Sequence, residues 1–509
     1  MKNANVERLE SRTASEQRGT ERVPPKLAVA PFLDGGLSAS QSERIVDVMN
    51  PSTGRLCLQL AAGSDADVDR AVASARKAFD DGRWSEAAPS VRKQALHRFA
   101  DLITAHAKEL DALDAAEMGK PVQEGFASAA VAAGLMRFHA EAVDKLLGDV
   151  YTSDKNSFVL QRLVPRGVVA ALVPWNFPTF VAALKIAPAL VAGNSVVLKP
   201  SELSSRSSLR LAQLALEAGI PAGVLNVVPG LGETVGRALG LHGDVDMLTF
   251  TGSTAAGKLM LQYSGQSNMK VVMAECGGKC PQIVFDDGVD LDVASDRIAR
   301  QLLVNQGQVC SVGSRLLVQR SVQDRVVDKI VSRFEQIVMG DALDPKTTFG
   351  PVASEKQCAR VMQYIEGAQR EGIQAVIGGR RARLDAGGYF IEPTLFRDVA
   401  PNSRIAQEEI FGPVLSVIPF EDEAEAIRIA NGTMYGLVSY VWSANISTGM
   451  RMMKGIRSSI RINATGPVGE GSGYAASYEP AAQSGIGTES GMKGIESYLR
   501  RQLVSFSHA

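Results

Sequence analysis

Apolar residues recur every three to four positions over Val68 to Trp84, Val91 to Leu113 and Val122 to Leu147, with few breakers between them. That spacing predicts amphipathic helices through most of the N-terminal quarter. Beyond Val168 the texture changes. Short β-rich runs at Val168 to Val173, Ser195 to Leu198, Val224 to Val228, Met247 to Phe250 and Lys270 to Ala274 alternate with helix-like stretches such as Ser207 to Ala218 and Thr234 to Leu239. Such alternation builds βαβ units around a parallel sheet, and a nucleotide is expected at the carboxyl ends of its strands. A second series begins near Ile283 and includes Arg315 to Val318, Val414 to Pro419, Ser439 to Trp442 and Ser459 to Asn463, with helices such as Val322 to Val338 between them. It predicts a second α/β unit. Tyr151 to Leu163 alternates polar and apolar residues and Leu499 to Phe506 is strand-like, so both are assigned to a small projecting β element that pairs with another subunit.

Length agrees with this division, because 509 residues exceed what one hydrophobic core usually supports. Hydrophobic residues make up 45%, charged residues 21%, and the formal charge is -1. That balance offers no basic field for nucleic acid, and small ligands fit it best. The longest apolar stretch, Val168 to Leu190, is broken by Pro174, Pro178 and Pro188, so no membrane span is expected. Residues 1–26 mix Glu7, Glu10, Glu16 and Glu21 with Arg8, Arg12, Arg18 and Arg22, which suits neither a secretory signal nor a transit peptide. A disordered tail on a soluble, cytoplasmic protein is the expectation. Cys57, Cys276, Cys280, Cys310 and Cys358 are odd in number and scattered, so reduced thiols are expected. The five histidines show no ligand spacing, and no metal site is expected.

Chemistry concentrates at the ends of the β runs. Pro174-Trp175-Asn176-Phe177-Pro178 follows the first of them, and two prolines present the Asn176 amide rigidly, as a donor to a developing oxyanion must be. Lys199-Pro200-Ser201-Glu202 follows the next, where an acidic side chain accepts from ribose hydroxyls and repels a 2'-phosphate. Glycine-bearing turns at Gly230-x-Gly232-x-x-x-Gly236 and Phe250-Thr251-Gly252-Ser253-Thr254 open helices, where free backbone N–H groups meet a pyrophosphate. Glu275 ends a strand and precedes Gly277-Gly278-Lys279, which puts a carboxylate on a flexible loop suited to general-base work. Asn305-Gln306-Gly307-Gln308-Val309-Cys310 places a thiol in a loop after a helix over Val293 to Val304.

Together with Glu409-Ile410-Phe411-Gly412-Pro413-Val414, the order and spacing of these motifs resemble the aldehyde dehydrogenase superfamily from about Asn50 to Leu503. The resemblance implies an α/β fold: a Rossmann-like NAD-binding domain over 27–147 and 166–277, a second α/β catalytic domain over 278–480, and a small β oligomerisation element over 148–165 and 495–509. It implies NAD as cofactor, an aldehyde as substrate and a homodimer or homotetramer. By its motifs, Cys310 is the nucleophile, Glu275 the base for the thiol or the deacylating water, and Asn176 the oxyanion donor with the Cys310 backbone amide. Lys199 and Glu202 take the adenosine ribose, Gly232, Gly252 and Ser253 the pyrophosphate side, and Trp175, Glu409 and Phe411 the nicotinamide end. Lys185 and Glu489 correspond to a proton relay behind Glu275.

Arg83-Trp84-Ser85, Ser267-Asn268-Met269-Lys270 and Asn305 to Cys310 look closest to the branch handling γ-glutamyl-aminobutyraldehyde and related aminoaldehydes. Two departures stand against the family pattern. Cys276 and Cys280 occupy places usually held by Leu or Ala and by Ser or Ala, and the usual Pro-Phe-Gly-Gly-x-Lys-x-Ser-Gly is missing near the C-terminus. The segment Gly471 to Ala482 replaces it and is expected to set the substrate range: Tyr474 and Tyr478 could line the aldehyde's path, or Glu479 could instead attract a cationic aminoaldehyde, with surface loop positions the alternative for all three. The rival readings are a coenzyme A-acylating relative, which typically lacks the base glutamate, and a binding or scaffold protein without turnover.

Overall fold

The computed structural model describes residues 28–465 and 474–507, so the tail expected over 1–26 and the start of the Gly471 to Ala482 segment lie outside the described residues. Two parallel-rich sheets carry the α/β fold. The first has eight strands in the order Gly485–Ile486, Val271–Glu275, Met247–Thr251, Val168–Leu172, Ser195–Lys199, Leu225–Val227, Phe32–Leu33 and Gly36–Leu37. Its five inner strands are mutually parallel, and the outer ones pair antiparallel. Val168–Leu172 and Ser195–Lys199 are buried along their whole length, as strands covered on both faces are, and each Val or Leu buried there contributes roughly 1.5–3 kcal/mol.

Chain order gives this sheet its use. Of the five parallel strands, Val168–Leu172 comes first in sequence but lies centrally, with Ser195–Lys199 on one side and Met247–Thr251 on the other. The order therefore reverses between Val168–Leu172 and Met247–Thr251, and a crevice opens where connections leave in opposite directions. The registers Leu172 with Lys199, Phe250 with Leu172, and Thr251 with Glu275 bring the carboxyl ends of four strands to one edge.

The second sheet has seven strands, from Ala375–Ile377 through Thr394–Phe396, Val414–Phe420, Arg315–Gln319, Pro281–Val284 and Val438–Trp442 to Ser459–Ile462, all parallel save the first. A third, antiparallel sheet joins Asp149–Tyr151, Ser157–Pro165 and Leu499–Ser507.

The N-terminal quarter is largely helical, as expected, with departures in detail. Strands at Ile45–Asn50 and Arg55–Ala61 pair with each other before the first helix, Asp65–Asp80, begins. The expected helix over Val91 to Leu113 is two helices, Pro89–Ala105 and Ala107–Met118, interrupted at His106 with φ -102° and ψ 15°. The expected helix over Val122 to Leu147 is confined to Ala129–Ala142 and a short 3-10 turn, since Pro121 lacks an N–H and Ala127 takes φ 50°. Near Thr234 to Leu239 the helix starts earlier, as a π-turn over Gly232–Gly236 that continues to Leu241. Among the described residues no helix is long and apolar enough to cross a membrane.

Candidate active site

At the strand-end edge of the first sheet lies a cavity of about 1320 Å³, into which both sheets contribute residues. Trp175 and Asn176 reach it from the turn after Val168–Leu172, Gly252 and Ser253 from the turn after Met247–Thr251, and Glu275 from the end of its strand. Cys310, Glu409 and Phe411 enter from the second unit, and Glu489 from beyond the antiparallel edge strand Gly485–Ile486. Lys185 stands one shell back on the helix Pro178–Val191, fully buried, with Nζ 2.5 Å from Glu489 Oε1.

The thiol is set by an unusual backbone. Asn305 and Gln306 take φ 46° and 55°, and Gly307 follows at φ 70°. A Cβ at Gly307 would stand 2.4 Å from the carbonyl oxygen of Gly412, so both the left-handed backbone and the close approach require glycine. The Asn305 amide donates to Asn176 O at 2.9 Å, and the Asn176 amide donates to Gln308 O at 2.9 Å. These reciprocal bonds lock the oxyanion donor and the thiol loop together across 132 positions of sequence. An amide nitrogen carries two hydrogens, and the second of Asn176 remains for the cavity.

Electrostatics favour neutral groups at the reacting end. Burial, then the Glu409 and Glu275 carboxylates, push the Cys310 thiol well up from its ordinary value. Burial and Glu489 likewise hold the Glu275 carboxyl well above the usual carboxylate range, with Lys185 pulling the other way. Glu275 Oε1 is buried without a hydrogen-bond partner among the described residues, so it is free to take one from a reactant. Cys276 and Cys280 are pushed up to about 12, chiefly by burial, which makes both inert thiols near neutral pH.

The mobility expected from Gly277-Gly278 is not what those glycines provide. A Cβ at Gly277 would lie 2.3 Å from Glu409 Oε2, and one at Gly278 would lie 2.5 Å from Cys310 O. They permit close packing of three chain segments, and Glu275 is the last residue of its strand, as expected, with packed and not loose backbone after it. The Gly278 N–H donates to Glu409 Oε1 at 3.1 Å.

The expected adenosine contacts sit apart from this cavity. Lys199 is buried and donates to Pro200 O at 2.9 Å, and Glu202, part-exposed, is 3.9 Å from its Nζ. Neither they nor Gly232 line the cavity: Lys199 ends the strand Ser195–Lys199, Glu202 follows it, and Gly232 opens the π-turn after Leu225–Val227. Nothing lies within 4 Å of a Cβ placed on Gly232, so the start of that helix is open to a ligand. Ser253 caps the helix Thr254–Gln266 through Ala256 N, and Trp175 meets Phe411 edge-on at 5.3 Å. A row of helix starts, an available carboxylate and a paired aromatic wall fits an extended dinucleotide.

Two groups escaped the reading of the sequence. Gln357 Nε2 donates to Phe411 O at 2.7 Å and Arg360 to Glu409 O at 2.7 Å, so the helix Glu355–Arg370 holds the loop that carries both. A one-turn spacing between the two was the only signal available. Tyr478 lines the cavity as expected, but its hydroxyl also donates to Glu489 Oε2 at 3.3 Å. Tyr474 lines it too, with its hydroxyl donating to Val131 O at 3.2 Å. Of the two readings of Glu479, the loop position holds and the cation trap does not: it is exposed, accepts a hydrogen bond from the Thr488 hydroxyl and does not line the cavity.

The model of the aldehyde dehydrogenase family matches residues 37–504. The chain belongs to the aldehyde dehydrogenase family. An aminoacetaldehyde dehydrogenase of Pseudomonas aeruginosa is 42% identical over 432 residues, 84% of this chain and 86% of that protein. Family members of known structure align over almost the whole molecule. The indole-3-acetaldehyde dehydrogenase AldA of P. syringae, a mutant in complex with NAD+ and IAA, superposes with a TM-score of 0.91 at 43% identity, covering 94% of this chain and 96% of that one. A gamma-glutamyl-gamma-aminobutyraldehyde dehydrogenase of Burkholderia cenocepacia gives 0.91 and 43%, with 94% and 97% covered.

Proposed function

We propose that the chain oxidises an aldehyde to the carboxylic acid with NAD, using Cys310 as nucleophile, Asn176 as oxyanion donor and Glu275 as base. The observation that carries this reading is the meeting of those three side chains in one cavity at the reversal point of the first sheet, with a Glu275 oxygen unpartnered. Lys199, Glu202, Gly232, Gly252 and Ser253 would hold the adenosine and pyrophosphate portions of NAD, and Trp175, Glu409 and Phe411 the nicotinamide end. When bound there, NAD supplies the acceptor for the hydride that leaves the substrate carbon.

A thiol held neutral by burial must lose its proton as it attacks, and Glu275 accepts it. The Cys310 Sγ–carbon bond forms and the carbonyl electron pair moves to oxygen, where the spare Asn176 hydrogen and the Cys310 backbone N–H receive the charge. After hydride loss the substrate is a thioester on Cys310. Glu275 takes a proton from water, hydroxide adds to the thioester carbon, the carbon–sulfur bond breaks, and the acid leaves. Lys185 and Glu489 position Glu275 and carry its proton onward. A base carboxylate beside the thiol supports transfer of the acyl group to water and not to coenzyme A.

The test is spectrophotometric: purified enzyme with NAD and a panel of aldehydes should form NADH, and Cys310→Ala should lose that activity while still binding NAD. Activity of Cys310→Ala near that of the parent would remove Cys310 from the reaction. The names of the relatives above share an aldehyde group and differ in the rest of the molecule, which leaves the substrate class to the chemistry of this cavity.

Assembly through the third sheet belongs to the same proposal. Its register sets Val150 and Val504 beside Leu160, and Phe506 beside Phe158, on one face, where Val150 is 70% exposed and the two Phe rings stand 6.2 Å apart. Such a face suits burial against a second copy, giving a homodimer or, by pairing of dimers, a homotetramer. Five free cysteines fit a reducing cytoplasm, which fractionation of the native cells checks.

A further inference from the structure

Away from the reacting groups, the cavity lining has two unlike parts. Phe126, Leu135, Phe177, Val181 and Leu184 form an apolar part. The other part is cationic. Arg297, Arg300, Gln301 and Val304 all line the cavity, and their spacing puts them on one face of the chain segment that begins with the helix Leu291–Leu303 and leads to Cys310, with the two arginines exposed. Arg461, on the strand Ser459–Ile462, lines it as well.

Hydrogen bonds fix these arginines around the segment that follows that strand. Arg297 Nη1 donates to Asn463 O at 2.9 Å, and Arg461 Nη1 donates to Thr465 O at 3.4 Å. The Arg461 guanidinium also stands 5.7 Å from the centre of the Tyr440 ring, whose hydroxyl donates to Ser311 O at 2.8 Å. Arg461 is thus one aromatic ring away from the residue that follows the thiol. Arg300 is paired with Asp296 at 2.8 Å, and that carboxylate is shared with Arg333 at 2.7 Å. Among the described residues no carboxylate pairs with Arg297 or Arg461; of the acidic lining groups, Glu489 is taken up by Lys185, and Glu275 and Glu409 stand at the reacting end beside Cys310.

We propose that the cavity selects aldehydes bearing a carboxylate at the end remote from the carbonyl, bound by Arg297 and Arg461 with Arg300 beside them. The proposal rests on the dehydrogenase reading above and names its substrate class. A guanidinium offers planar N–H donors that match a carboxylate; each of these two gives one Nη1 donor to a backbone carbonyl and keeps the others, and among the described residues no carboxylate compensates its charge. The apolar lining suits the carbon chain between the two ends. An aldehyde with a cationic end meets like charge in the same place, so this reading departs from the aminoaldehydes for which some relatives are named.

Three aldehydes of similar length separate charge from size: hexanal, 6-oxohexanoate and 4-(trimethylammonio)butanal, each assayed with the full-length enzyme and NAD. We expect kcat/KM for 6-oxohexanoate to be at least fivefold above that for hexanal, and the cation to be at least fivefold below it. Added salt should narrow both gaps, because part of the attraction acts across solvent. In Arg297→Gln and in Arg461→Gln the ratio of 6-oxohexanoate to hexanal should fall toward one, mainly through KM for the anion. Since Arg461 also supports Tyr440, the exposed Arg297 is the safer variant to read. Oxidation of hexanal with no preference for 6-oxohexanoate, or a preference unchanged by Arg297→Gln and Arg461→Gln together, overturns the proposal and leaves the dehydrogenase reading standing. Failure to oxidise any of the three overturns the dehydrogenase reading itself.

Discussion

Glu275 has to work as a base while burial and a neighbouring carboxylate oppose its ionisation. A base acts only when deprotonated, so acyl-enzyme hydrolysis should rise with pH through a midpoint above the ordinary glutamate value of roughly 4.3. Glu489→Gln removes the charge that raises Glu275 and leaves the Lys185 cation that lowers it, so that midpoint should move down, by about one pH unit. A pH profile of steady-state NADH formation that stays put, or moves up, contradicts the geometry. The carboxamide in Glu275→Gln cannot take a proton from water. Provided another acceptor takes the thiol proton and acylation stays fast, rapid mixing with NAD and aldehyde should then show a burst of NADH equal to the enzyme sites, followed by turnover slowed by roughly 100-fold or more. Equal loss of burst and steady rate would move the main work of Glu275 to the thiol instead of to water.

At the scale of elements, the ends of the central strands decide cofactor choice. Glu202 follows Ser195–Lys199 and is held only by Lys199 at 3.9 Å among the described residues, which leaves its oxygens for ribose hydroxyls. NAD should be preferred to NADP, and Glu202→Gln should improve kcat/KM for NADP by roughly tenfold by removing repulsion of the 2'-phosphate. Equal use of the two cofactors by the parent enzyme counts against Glu202. These strands were legible because a parallel sheet covered on both faces writes itself as unbroken apolar runs, as in Val168–Leu172. Their motifs were legible because each sits in the turn that follows such a run. Ile45–Asn50 and Arg55–Ala61 were missed, since alternation over six or seven half-exposed positions is a weak signal beside the long helices that follow. Gly277 and Gly278 were misread for a different reason. Glycine allows both freedom and tight packing, and only the position of Glu409 tells which. Glu479 proved to be the exposed loop residue of its two readings, since a single acidic residue outside a helix or strand carries no periodicity that tells inward from outward.

For the molecule as a whole, the apolar face of the third sheet predicts the state of assembly. Phe506→Glu places a charge opposite Phe158 and should shift the mass seen by light scattering toward the monomer at micromolar concentration. An unchanged mass would mean that the copies meet elsewhere. The ion pair between Lys185 and Glu489 spans 304 positions of sequence, and the strand ending in Glu275 receives its outer partner from Gly485–Ile486. A ribosome releases these parts in order, so the first sheet can gather its central strands long before its edge and the relay behind its base exist. Until the last few dozen residues emerge, the nascent enzyme holds a nucleophile without a finished base. Translation arrested just before Gly485 should therefore yield chains that bind NAD yet form no NADH, and oxidising activity from such chains would show that completion of the site does not wait for the end of synthesis.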